Sequence, residues 1–190
     1  KKEKKSENKN ISISSEYGLS LAYKETNKFQ ESFTLMRKLV SRIKNNLVLE
    51  TSLMEIHIAD KNYFEAISLG KSIIDIHENN YSATMMLADA YMANDQPEEA
   101  ELALRELTKL RPTDPNIWYK LAEAQGLSNN ILDLHRSRAE FFILTGRHDA
   151  AIFQLKEALA LSKNLFEIRE SIIRKLEEIF AAKKAMNELS

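Results

Sequence analysis

The stretch "YSATMMLADAYMANDQPEEAELALRELTKLRPTD", residues 81–114, decides the fold. Its apolar residues recur at helical spacing twice, through Leu87, Ala88 and Tyr91 and again through Ala100, Leu104 and Leu107. "NDQP" separates the two runs, and Pro112 ends the second. Ala88 and Ala100 are small where a lone surface helix tolerates something larger. A small residue on a packed face lets another helix come close, so the pattern predicts two helices laid against each other. Asp95 is placed to cap the second, Pro97 suits its first turn, and Glu98 and Glu99 favour its positive end.

The arrangement returns every 34 residues. In 47–80, Leu53, Tyr63, Ala66, Gly70 and Ile73 fall at matching places, and in 13–46 so do Leu19, Tyr23, Phe29, Ser32, Met36 and Leu39. Forward, "PNIWYKLAEAQG" from Pro115 gives Trp118, Leu121 and Ala122. The register then slips. "HDAAIFQLKEALAL" has Ala151, Leu155 and Ala158, which implies a unit starting at 132, half a period after 115. A helix within 131–146 therefore closes the Trp118 hairpin and opens the Ala151 hairpin, and Gly146 supplies a left-handed cap.

These positions resemble the tetratricopeptide repeat: the Leu-small pair Leu87–Ala88, the aromatic Tyr91, then Ala100, Leu104, Leu107 and the terminating Pro112. The expected fold is all-α, a right-handed tetratricopeptide-repeat superhelix of antiparallel helix pairs with a C-terminal capping helix. Repeats are expected at 13–46, 47–80 and 81–114, then a half unit at 115–131 sharing a helix with 132–165. Residues 1–12 read as a disordered charged lead-in. A capping helix at 166–190 is expected to bury Phe166, Arg169, Ile173, Leu176 and Phe180, with Ile172 beside them.

Composition agrees. Four glycines and three prolines in 190 residues, with 44% hydrophobic and 29% charged side chains, describe a helical chain with a real core. A net charge of −1 gives no electrostatic case for nucleic acid or an anionic membrane. Absence of cysteine excludes disulfides and thiolate metal sites and fits cytoplasm or periplasm. No apolar run is long enough to insert across a bilayer, and no signal peptide is visible. A first residue of Lys rather than Met suggests a fragment.

No catalytic motif is found. His57, His77, His135 and His148 form no HExxH, and neither a Gly-rich phosphate loop nor a GxSxG elbow occurs. No catalytic residue, metal or cofactor is therefore expected within this stretch. Binding is expected on the face lined by the first helices of the repeats. There Leu21, Glu55, Asp89, Glu123 and Glu140 form one row, beside Tyr17, Ile58, Met85, Met92 and Tyr119. An acidic row flanked by Met and Tyr suits an extended or unfolded polypeptide. The same residues also fit a solvated face with incidental carboxylates. A clamp for a chaperone's C-terminal carboxylate is excluded, because its basic and Asn positions hold Tyr17, Leu21, Ser52, Ser82 and Met86.

The last third is more particular. "LHRSRAEFFILTGRHDAAIFQLKEALAL" followed by "FEIRESIIRKLEEI" resembles the C-terminal region of the BepA-like, β-barrel assembly-enhancing metalloproteases. Arg138, Ala139, Glu140, Gly146, Arg147, Ala151, Ile152, Gln154, Leu155, Ala158 and Leu159 carry the likeness, and "EYGLSLAY" looks like the first repeat of that region. The resemblance implies a parent that is a periplasmic zinc metalloendopeptidase in outer-membrane protein assembly quality control. Its zinc ligands match nothing here. This part would be the non-catalytic arm that binds substrate, the β-barrel assembly complex or its own protease domain. A free-standing adaptor in cell-envelope assembly is the other reading.

Overall fold

Linkers in this chain alternate between three and four residues, and that alternation organises the fold. The computed structural model describes residues 2–188, with side chains described for 13–185. Ten helices and no strand occur among the described residues: α1 (Lys2–Glu25), α2 (Phe29–Arg42), α3 (Leu47–Ala59), α4 (Tyr63–Ile76), α5 (Tyr81–Ala93), α6 (Pro97–Leu110), α7 (Pro115–Leu127), α8 (Ile131–Leu144), α9 (His148–Leu161) and α10 (Phe166–Glu188). The fold is all-α and of the tetratricopeptide-repeat type.

Each three-residue linker has a left-handed residue at its centre: Asn27, Lys61, Asp95, Asn129 and Gly146, with φ between 55° and 73°. After four of these helices the chain makes the same pair of closing bonds. Lys28 N–H donates to Tyr23 O, Asn62 to His57, Asn130 to Gln125 and Arg147 to Phe142, each at 2.8 Å. This is a Schellman closure, which satisfies carbonyls that a helix end otherwise leaves open. Two four-residue linkers also contain a left-handed residue, Asn45 and Asn79, but three of the four-residue linkers add a side-chain cap. Asn46, Asn80 and Asp114 each turn a side-chain oxygen onto an N–H of the next helix, those of Leu49, Ala83 and Asn116. The alternation fails at one place: α7–α8 and α8–α9 are joined by two successive Schellman turns. That is where the sequence pattern slips by half a period.

Three local expectations need correction. Asp95 does not cap α6; it occupies the left-handed turn position, and Gln96 stands at the N-cap without a side-chain bond. A turn this short leaves the residue before Gln96 to reverse the chain. The backbone of the charged lead-in is helical from Lys2, consistent with a Lys- and Glu-rich stretch free of Gly and Pro. The side chains of 1–12 lie outside the described residues. Leu19 is 47% exposed rather than packed. α1 lies on α2 through Ser20, one residue and about 100° further round, where Ser20 and Ser32 exchange hydrogen bonds of 2.8–3.2 Å.

The chain divides into two compact units, Lys1–Asn94 and Asp95–Ser190. In the first, Met36, Leu39, Leu49, Leu53 and Ile56 form a core on which Tyr17, Leu21 and Phe33 pack. Gly70 of α4 lets α3 and α5 close in: a Cβ there would stand 2.7 Å from Met54 Cε and 3.1 Å from Leu87 Cδ1.

In the second unit, Ala139, Ala151, Ile152, Leu155 and Ala158 of α8 and α9 meet Ile172, Leu176 and Ile179 of α10. Leu176 and Ile172 are buried as expected, but the buried face of α10 turns away from Phe166 and Phe180 and takes in Ile179. Phe166 is 76% and Phe180 50% exposed. Two stripes at helical spacing run along this helix, and the aliphatic one fits the alanine-lined surface that two phenylalanine rings would hold apart.

Candidate binding surfaces

Tyr17, Leu21, Glu55, Ile58, Met85, Asp89 and Met92 belong to the first unit; Tyr119, Glu123 and Glu140 belong to the second. In the first unit, α1 and α3 are tied by Tyr17 Oη to Ser52 Oγ at 3.0 Å. Lys24 Nζ donates to Glu55 Oε2 at 3.0 Å. Burial works against the Lys24 charge, but the Glu55 and Glu25 carboxylates outweigh it and raise its pKa. Glu55 thus carries its own counter-ion. Leu21 is half-buried against the core. Ile58, Met85, Asp89 and Met92 are half-buried as well.

In the second unit Tyr119 and Glu123 do come together. With Ala122, Gly126, Leu127, Leu134 and Arg138 they line a hollow of about 320 Å³ between α7 and α8. Tyr119 is 60% exposed, and its ring tilts against Phe141 at 5.5 Å. Glu123 is exposed. Tyr119, Glu123 and Leu127 stand four residues apart, so one helix face presents an aromatic, an acid and an aliphatic group, with Arg138 opposite. Leu127, Leu134 and Arg138 were missed as site residues, although four-residue spacing from Tyr119 points to Leu127. Glu140 is placed elsewhere. It pairs with Lys175 of α10 and lines a different hollow, beside Trp118, Arg136 and Ser137.

That second hollow, about 240 Å³ between α6, α7 and α8, borders a polar cluster which sequence reasoning also missed. Glu101 and Arg105 of α6, one turn apart, reach Gln125, Asn130 and Asp133. The signal was an acid on the inner stripe of α6 with an arginine four residues on. Burial works against the charge of Asp133, but hydrogen bonds from Arg136 and Arg105, with both guanidinium charges, outweigh it and lower its pKa.

The histidines lie apart. His135 Nδ1 pairs with Gln154 Oε1 at 2.8 Å, and the His57 ring lies tilted against Phe33. No group of three or more metal-binding side chains gathers among the described residues, so the donors present do not fit a zinc site. No helix among those residues is long and apolar enough to cross a membrane.

Paired helices, Schellman turns and small residues at the crossings define a protein built from tetratricopeptide repeats. A model of the tetratricopeptide-repeat family matches residues 57–124. Among particular proteins, the chain is similar to the β-barrel assembly-enhancing protease of Escherichia coli K12, 30% identical over 87% of this chain and 35% of that protein. To the Yersinia pestis counterpart it is 27% identical, over 88% of this chain and 36% of the relative. It thus spans about a third of the length of the curated relatives it matches, and the resemblance, most particular in its last third, extends over most of its length. Two solved structures share the fold. MamA from Desulfovibrio magneticus RS-1 has a TM-score of 0.62 at 11% identity, covering 91% of this chain and 96% of that one. A thermophilic tetratricopeptide-repeat protein of Thermus thermophilus has 0.54 at 15%, covering 86% and 98%.

Proposed function

We propose that this chain is the non-catalytic, protein-binding arm of a periplasmic zinc metalloendopeptidase that acts in outer-membrane protein assembly quality control. The observation that supports it is likeness to the β-barrel assembly-enhancing proteases over nearly nine-tenths of the chain. On this reading the zinc and the catalytic residues belong to a part of the protein not represented here. The arm holds an unfolded or misassembled polypeptide, the assembly machinery or its own protease domain. The Tyr119–Glu123 hollow is the surface best shaped for it: an exposed ring for an apolar side chain, with Glu123 and Arg138 at its edges for polar groups.

The test is binding of a fluorescently labelled, urea-unfolded outer-membrane β-barrel protein, diluted into buffer with this chain and followed by anisotropy. Tyr119→Ala should weaken binding about tenfold, the loss of one central aromatic contact. Wild-type protein that fails to bind, or a variant that binds equally well, sinks this use of the hollow. A separate check separates the protease arm from a free-standing adaptor. An HExxH motif encoded upstream of Lys1 in the same reading frame is expected for the arm, and its absence from that frame favours the adaptor.

A further inference from the structure

Each unit carries a corner made from the same repeat positions, and only one of them has a carboxylate on the inner stripe of its first helix. In the second unit that carboxylate is Glu101, which is 9% exposed. Its Oε1 accepts from Arg105 Nε at 2.9 Å, Asn130 Nδ2 at 3.1 Å and Gln125 Nε2 at 3.5 Å, and its Oε2 from Ser128 Oγ at 3.2 Å. Asp133 holds Arg105 from the other side. Asn130 stands at the N-cap of α8, makes no capping bond there, and turns its amide to Glu101.

Two repeats earlier, Phe33, Arg37, His57, Asn62 and Glu65 occupy the positions of Glu101, Arg105, Gln125, Asn130 and Asp133. With Gln30 they line a hollow of about 250 Å³ between α2, α3 and α4. Here the acceptor is missing: Phe33 takes its place and lies 4.5 Å from the His57 ring. The donors remain. Asn62 stands at the N-cap of α4 and, like Asn130, makes no capping bond. His57 Nδ1 is buried without a hydrogen-bond partner. Among the described residues, no hydrogen bond or ion pair engages the side chains of Arg37 or Asn62.

We infer that this hollow binds the side-chain carboxylate of a glutamate on a partner polypeptide, which enters beside Phe33 and meets donors equivalent to those that Glu101 engages in the filled corner. Arg37 supplies a fork of donors suited to a carboxylate, Asn62 a further N–H, and the N-terminus of α4 a positive dipole end. The exposed edge of Phe33 offers an apolar wall for the methylene stem. The occupant is a glutamate because a glutamate, at that reach, already satisfies the equivalent donors in the second unit. This site is distinct from the Tyr119–Glu123 hollow and does not depend on what binds there.

Charge balance couples binding to a proton. Arg37 of α2, Glu65 of α4 and Asp60 of the α3–α4 turn all face His57, whose pKa is lowered, first by burial. With His57 neutral, one cation stands against two carboxylates, and a third carboxylate enters at a cost. Protonation of His57 offsets that cost, so binding takes up a proton and tightens as pH falls.

The experiment is an NMR titration of this chain, following the His57 ring and Arg37 Nε. The probe is an acetylated, amidated hexapeptide of Ala and Ser with one central Glu. Controls carry Gln or Lys in place of Glu, or no acid but a free C-terminal carboxylate. Expected are saturable shifts with the Glu peptide alone, tighter at about pH 6 than at about pH 8. Arg37→Gln, an exposed substitution, should weaken binding about tenfold, the loss of a charge-assisted hydrogen bond, without moving the melting temperature. Phe33→Glu, which supplies the carboxylate internally, should abolish the shifts in folded protein. Shifts with the Gln or Lys peptide equal to those with Glu, shifts with the free-terminus peptide alone, or none at all overturn the assignment, as does a folded Phe33→Glu protein that still binds.

Discussion

Lys61 and Gly146 occupy the same place in equivalent turns, at φ 58° and 73°, and only one of them suits it. An L-residue in the left-handed region pays a steric penalty that glycine avoids. Lys61→Gly should therefore stabilise the protein by about 0.5–1 kcal/mol, less the greater freedom glycine gives the unfolded chain. Gly146→Ala should cost about 1 kcal/mol through the backbone alone, since no atom lies within 4 Å of the added Cβ. Urea unfolding of the two variants measures both, and shifts of the same sign would be inconsistent with the turn geometry. At the Glu101 corner the lever is pH. Asp133 loses its proton more readily folded than unfolded, so it adds stability that is fully present above the ordinary value of 3.8. That stability disappears as pH falls through the lower folded value. Asp133→Asn should flatten this acid limb in urea unfolding followed from neutral pH to about pH 2. Gly146 was legible as a turn because glycine advertises it. Lys61, Asp95 and Asn129 were harder to place, since their residue types also serve as helix surface or caps.

Among elements, α10 shows what periodicity can and cannot settle. Its sequence carries one stripe through Phe166, Ile173 and Phe180 and another through Ile168, Ile172 and Ile179, both at helical spacing. Hydrophobicity alone does not separate the two stripes. The choice is made by the partner, where Ala151 and Ala158 keep α9 close and leave room for branched aliphatic side chains. Ile172→Ala should cost about 2–4 kcal/mol, whereas Phe166→Ala should change stability by less than about 0.5 kcal/mol. A thermal melt of each variant decides it. A large loss at Phe166 with none at Ile172 would restore the face expected from sequence. The same logic explains Leu19: its spacing is right, but the close Ser20–Ser32 approach turns it outward.

At the scale of the molecule, the 34-residue interval was readable because each hairpin must bury small and large residues in fixed alternation, whatever the chain binds. The alanines at 88, 100, 122, 151 and 158 are all at most 4% exposed. Side-chain partnerships were not readable. Glu55 and Glu140 look like a shared acidic row in sequence, yet each meets a lysine from a distant helix, Lys24 and Lys175. Such pairings depend on which helix faces arrive opposite, which no local pattern encodes. Because Asp95–Ser190 has its own core, residues 95–190 expressed alone should give a helical circular-dichroism spectrum and a cooperative melt; a non-cooperative melt would contradict a self-sufficient unit. The doubled Schellman turn around α8 carries a last consequence, for how this chain can be lengthened or shortened. Upstream of Pro115, a 34-residue insertion or excision that begins and ends in four-residue linkers conserves whole hairpins. Cutting out 131–147 instead strips a packing partner from α7 and α9 at once, so repeat number is free to drift on one side of that point and is frozen at it.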